Sequence, residues 1–128
     1  MAVAVQESAI TDVDRVAAAT LDVYASRCDL ATEMPLAELL SVPSDLGALR
    51  AVVGATDRTV EIVLDADVDA AAIAPAAWAL AAKGFATIVL VALGRLGEAH
   101  EGLRGTPCHL QGWWSSEDGV AFGAFETP

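Results

Sequence analysis

Three aspartates at alternate positions, Asp65, Asp67 and Asp69, follow the apolar run Thr59-Val-Glu-Ile-Val-Leu64. Carboxylates spaced in this way are hard oxygen donors, suited to sharing Mg²⁺ with a phosphate group. Asp65 and Asp67 are the candidates for that metal and for catalysis. A plainer reading has Asp69 as a helix N-cap and the other two as solvated turn residues. The second set is Gly94-Arg95-Leu96-Gly97. Its glycines let backbone N–H groups approach an anion, and Arg95 can hold a phosphate bidentately. The pattern matches neither Gly-x-Gly-x-x-Gly nor the Walker sequence, and a glycine turn with Arg95 in solvent needs the same residues. His100 follows as an imidazole for acid–base work.

A strand ending in Asp65-Ala66-Asp67 resembles the first motif of the haloacid-dehalogenase-like phosphotransferases. The likeness spans residues 64–69 and stops there. In that family the second parallel strand ends in Ser or Thr, a lysine follows, and a late strand carries two more acids. Here the second run ends Val91-Ala92-Leu93-Gly94, and no later run ends in carboxylates. The chain is not placed in that family.

Cys108 and His109 are adjacent in a strand-like run, so their side chains point to opposite faces and do not form a nucleophile and its base. Cys28 reads as a small core residue at the end of a helical stripe. Two cysteines with no Cys-x-x-Cys pair make neither a disulfide framework nor a metal knot. The aromatic residues form a third group. Trp78 sits on a helix that is apolar on both sides. Trp113 and Trp114 point to opposite faces of one strand, and Phe122 and Phe125 differ by an odd step in the next. Each face of that hairpin is therefore expected to carry aromatics. These five residues are the candidate subunit interface, since interfaces are enriched in aromatics and a hairpin at a sheet edge is hard to cover. Ordinary core packing is the competing explanation.

These residues must be positioned by a small set of elements. Ile10, Val13, Ala17, Leu21, Tyr24 and Cys28 recur at steps of three and four, predicting a helix over residues 8–28 with Ser8 or Thr11 as its cap. Pro35 and Pro43 break the next stretch, leaving a short helix over 36–41. Ser44 caps a further helix over 45–53, which Gly54 stops. The period then changes. Residues 59–65 read as a buried strand, 69–83 as a helix ended by Lys83, Gly84 and Phe85, and 86–92 as a second strand. A helix over 95–104 stops at Gly105, a strand over 107–114 follows, and residues 115–119 turn into a final strand over 120–125. Two successive βαβ units make the first three strands parallel and the fourth antiparallel to the third.

The expected fold is thus a single α/β domain over 1–128, a three-layer α/β/α sandwich. Its small sheet has four mixed strands, namely three parallel strands plus the hairpin strand. The helical part, 1–54, covers one face, and the β-α-β-α-β-β part is 55–128.

Composition acts mainly by exclusion. Lys and Arg total 7 against 18 Asp and Glu, a net charge of −11, which repels phosphate backbones and anionic lipid heads. Neither nucleic acid nor membrane is expected as a partner. Hydrophobic residues make up 55% of the chain, yet the longest strongly apolar stretch, residues 85–93, is far shorter than the roughly 20 residues of a spanning helix. The first residues hold no basic, apolar signal pattern, so a cytoplasmic location is expected. No motif assigns an activity. The favoured expectation is a non-enzymatic, self-associating binding or regulatory module, a homodimer with a small-molecule or protein partner and no cofactor. The rival is an Mg²⁺-dependent enzyme for a phosphorylated small molecule. In that reading Asp65 and Asp67 hold the metal, while Gly94, Arg95 and Gly97 receive the phosphate.

Overall fold

The computed structural model describes residues 12–128; Ser8, Ile10 and Thr11, the expected start of the first helix, lie outside them. Helix α1 (Asp12–Ser26) buries Val16, Ala17, Thr20 and Tyr24, with two acids in its first turn to complement the helix dipole. The Thr20 hydroxyl satisfies itself on the Val16 carbonyl at 2.8 Å. Cys28 does not join the core. It is exposed at φ 60°, in the left-handed position that ends the helix, and the Asp29 N–H bonds back to the Tyr24 carbonyl.

The region expected to be helical up to Gly54 departs most from the sequence reading. It holds strand β1 (Ala31–Pro35), a single 3₁₀ turn (Leu36–Glu38), the short helix α2 (Ser44–Gly47) and strand β2 (Arg50–Gly54). Ser44 does open a helix, but one that ends before Ala51-Val-Val, where β-branched residues pair into the sheet instead. The four-stranded sheet is therefore overturned. Strands β3 (Thr59–Val63), β4 (Ala86–Ala92), β5 (Cys108–Ser116) and β6 (Gly119–Glu126) complete one six-stranded mixed sheet in the order β1-β2-β3-β4-β5-β6. The expected pairing of the last four strands holds: β3, β4 and β5 run parallel, and β6 is antiparallel to β5. Both β1–β2 and β2–β3 are antiparallel.

Four α-helices accompany the sheet among the described residues. Helix α3 (Ala74–Ala82) and helix α4 (Leu96–Gly102) are the crossovers, each preceded by a 3₁₀ turn. Both pack on the sheet face that presents Ala51, Val60, Ile62, Val89, Val91, Cys108 and Leu110. Leu36, Leu40, Leu46 and Leu49 join this same core, so α2 and its neighbouring turn do not lie over the face expected for the N-terminal helices. Among the described residues, only α1 covers that other face, against Val52, Val63 and Leu90. The division follows from strand alternation, since Val60 and Ile62 point one way and Glu61 and Val63 the other.

Helix α3 stops where its sequence predicts. Gly84 takes φ 86°, and the Phe85 N–H bonds the Leu80 carbonyl at 3.0 Å. Arg58 reinforces that end, donating to the carbonyls of Lys83 and Gly84 while lying 4.5 Å over the Phe85 ring. The same helix is not buried on both sides: Ala76, Ala77 and Leu80 face the core, and Trp78 is 58% exposed.

The hairpin also differs from simple alternation. Gln111 pairs with Phe125 and Trp113 with Phe122, which leaves Gly112 opposite both Gly123 and Ala124. This one-residue bulge puts Phe122 and Phe125 on the same face as Trp113 despite their odd spacing. The Gln111 side-chain amide donates to the Gly123 carbonyl at 2.9 Å and satisfies the interrupted ladder. Trp114 alone carries an aromatic ring to the opposite face of the hairpin, over Gly123. No described helix is long and apolar enough to cross a membrane.

Candidate functional site

The carboxyl ends of β3 and β4 form a cleft of about 390 Å³ lined by Asp65, Asp67, Arg95 and Trp113, with Asp12 and Val13 of α1 on its far side. Three of the sequence-selected residues thus converge, at the sheet end where open α/β folds hold ligands. The side chains of Arg95 and Asp65 are engaged by the chain itself. Arg95 donates to the Asp65 carbonyl at 2.9 Å and to the Val68 carbonyl at 2.7 Å, and it pairs with Glu98 at 2.8 Å. The hydrogen bond to Glu98 is the main cause that raises Arg95 above its ordinary pKa, and Arg95 in turn lowers the Glu98 carboxyl. Most donors of the guanidinium fork are therefore spent within the chain, two on carbonyls of the β3–α3 loop and two on the Glu98 carboxylate.

Asp65 and Asp69 are local caps. One Asp65 carboxylate oxygen accepts the Asp67 N–H at 3.3 Å, and one of Asp69 accepts the Ala71 N–H at 3.1 Å at the start of the 3₁₀ turn. Gly94 and Gly97 lack positive φ, and a Cβ at either would meet nothing, so neither a strained turn nor a close neighbour requires glycine there. His100 does not line the cleft. It meets Glu126 of β6 at 2.7 Å. Among the described residues, no group of three or more His, Cys, Asp or Glu side chains is placed to hold a metal ion. Cys108 is buried with Thr106 Oγ1 3.1 Å away, burial pushes its thiol pKa up, and His109 is exposed.

A second cleft, of about 310 Å³, lies between the C-terminal half of α1 and the sheet, and the candidate motifs did not include its key residue. Glu61 of β3 is only 9% exposed, and it projects into this cleft beside Tyr24. Burial raises its carboxyl above the usual carboxylate range, opposed by the Tyr24 hydrogen bond and by the Arg27 charge; Asp57 raises it further. The Tyr24 phenol is held above its ordinary value, first by burial and then by the Glu61 charge. Gly54 makes this packing possible. A Cβ there would lie 2.8 Å from the Tyr24 ring and 2.5 Å from Asp57 Oδ1, which caps the Thr59 N–H.

Val23 and Ile88 form apolar parts of the wall, and β6 adds Phe122 and Phe125, both aimed there by the bulge. The sequence signal for the site was one acid inside the apolar run 59–64, a position where ionisable groups are rare unless paired or functional. Of the five aromatic candidates, Trp113 and Phe122 pack against the core under α1, while Trp78, Trp114 and Phe125 are exposed by 58%, 39% and 57%.

Compared with known proteins, the chain matches no protein-family model, no curated protein and no solved structure.

Proposed function

We propose that this chain is a non-enzymatic binding or regulatory module of the cytoplasm that self-associates as a homodimer through the β6 edge. The observation that carries the reading is the nature of that edge. β6 is the outer strand of the sheet, eight residues long, and its only charged side chain, Glu126, is tied back to His100 of α4. An outer strand presents a row of unpaired N–H and C=O groups, and natural proteins usually blunt one with lysine, proline or inward charge. The β1 edge has such protection in Glu33 and Pro35 and is five residues long. Among the described residues, the β6 edge has the bulge alone.

The exposed rings of Trp114 and Phe125 flank β6 on opposite faces, so antiparallel pairing of two β6 strands about a twofold axis would cover both. A second copy supplies the matching edge and the matching rings. Light scattering at micromolar concentration tests this: a dimer has twice the 13.2 kDa chain mass, and a monomeric wild type ends the reading.

The Mg²⁺-dependent enzyme is the rival proposal. Its support is the placing of Asp65 and Asp67 in one cleft. With Arg95 held by Asp65, Val68 and Glu98, that proposal lacks its phosphate-gripping group.

A further inference from the structure

We infer that the cleft beneath α1 is a binding site for a small organic cation, an ammonium group carried on an apolar body, with Glu61 as its counter-ion. The inference stands on the cleft itself and does not depend on self-association.

A carboxylate buried to this degree is ordinarily paired with a cation or fully hydrogen-bonded, because desolvation of the charge is otherwise uncompensated. Glu61 has no ion-pair partner among the described residues, and Tyr24 is its one hydrogen-bonding side chain. Arg27 reaches the cleft rim, but its guanidinium lies over the Tyr24 ring, 5.6 Å from the centroid, and is not within salt-bridge distance of Glu61. Val52 separates Glu61 from Glu33 on the same sheet face. A charge-bearing group is therefore buried, open to a cleft and short of a partner.

The surroundings select the ligand. Phe122 and Phe125 present rings that hold an apolar body and attract a cation through the ring quadrupole. The lining holds two acidic side chains, Glu61 and Asp57, against the one basic Arg27, and the whole chain carries −11, so anions are repelled. The volume, about 310 Å³, lies at the small end of the usual range for small-molecule sites, roughly 300–1,000 Å³. An arylalkylamine fits that size and chemistry.

The test is calorimetric titration of the full chain with benzylamine and with its neutral analogue, benzyl alcohol. Saturable binding of the amine is expected. The alcohol, or the amine added to Glu61→Gln, should bind about 10- to 100-fold more weakly, as expected for loss of a charge-assisted bond. Circular dichroism checks that Glu61→Gln is folded. Phe125→Ala removes an exposed ring whose loss leaves the core intact, and it should weaken the amine by about two- to fivefold. Affinity of the wild type should rise with pH as Glu61 ionises, over a range displaced upward from that of an ordinary carboxyl; the other groups facing it are Tyr24, Arg27 and Asp57. No saturable binding of benzylamine, equal binding of benzyl alcohol, or a Phe125→Ala affinity equal to wild type overturns the inference. So does undiminished binding by folded Glu61→Gln.

Discussion

The guanidinium of Arg95, at the end of the 3₁₀ turn after β4, donates to the carbonyl of Val68 in the β3–α3 loop across 2.7 Å. Two crossover connections are thereby fastened to each other at the rim of the sheet. The side chain is 23% exposed, so these bonds are shielded from full competition with water.

Replacing Arg95 by alanine should therefore act on stability. It leaves the Val68 carbonyl without its side-chain donor and the Asp65 carbonyl with the Val68 N–H alone, with an expected loss of about 1.5–3 kcal/mol. Denaturant unfolding measures this, and an unchanged midpoint contradicts the clamp. Under the enzyme reading, Mg²⁺ with inorganic phosphate raises the wild-type melting temperature; the occupied guanidinium predicts no shift.

Glu61→Gln should change how stability depends on pH. The folded-state pKa of Glu61 lies above its ordinary 4.5, so between those two values the folded chain binds more protons than the unfolded one. This contribution is present at low pH and is lost as pH rises through the folded value. The variant removes that loss. Its melting temperature should exceed that of the wild type at about pH 8 and converge on it near pH 4. A constant offset at all pH values would mean that Glu61 does not titrate in this window.

Gly54→Ala tests the packing that holds Tyr24 over the cleft. The new methyl meets the Tyr24 ring and Asp57 Oδ1 well inside contact distance, so one of them must move. A cost of about 1–3 kcal/mol is expected for such overpacking. Tyrosine fluorescence or side-chain NMR should report the displacement, and an unperturbed Tyr24 would show that the ring is not held there.

Self-association should respond to the edge and to salt. Trp114→Asp places a charge beside β6 and should raise the dimer dissociation constant by about tenfold or more. Salt should act oppositely, because two chains of −11 repel each other until screened. Sedimentation over a salt series measures both effects, and a wild-type dimer that dissociates as salt is added would place the contact elsewhere.

The second half of the chain was legible because each boundary has a local cause. Gly84 and Gly105 take the left-handed conformation their positions predict, and residues 115–119 close a hairpin. The strands β1 and β2 were not legible. Each has five residues, and Ser44 starts a real helix whose apolar spacing, Leu46, Leu49 and Val53, imitates a continuing one. The β-branched pair Val52-Val53 was the contrary signal. For the sites, strand ends located the Asp65 cleft, but no local pattern tells that the Arg95 donors are already taken. Glu61 was visible as an odd residue in an apolar run. Its neighbours come from α1 and β6 and meet only in the folded chain.

The bulge at Gly123 and Ala124 also makes the cleft sensitive to strand register. One extra residue in β6 is what brings Phe125 to the side of Tyr24 and Glu61. With the same residues paired in strict alternation and no bulge, that ring would instead pass through the sheet to join Trp114, leaving the cleft open and adding to the aromatic surface on the opposite flank. A codon lost at 123 or 124, by contrast, would leave Phe122 and Phe125 two positions apart and on one face without any bulge, so the cleft would keep both rings.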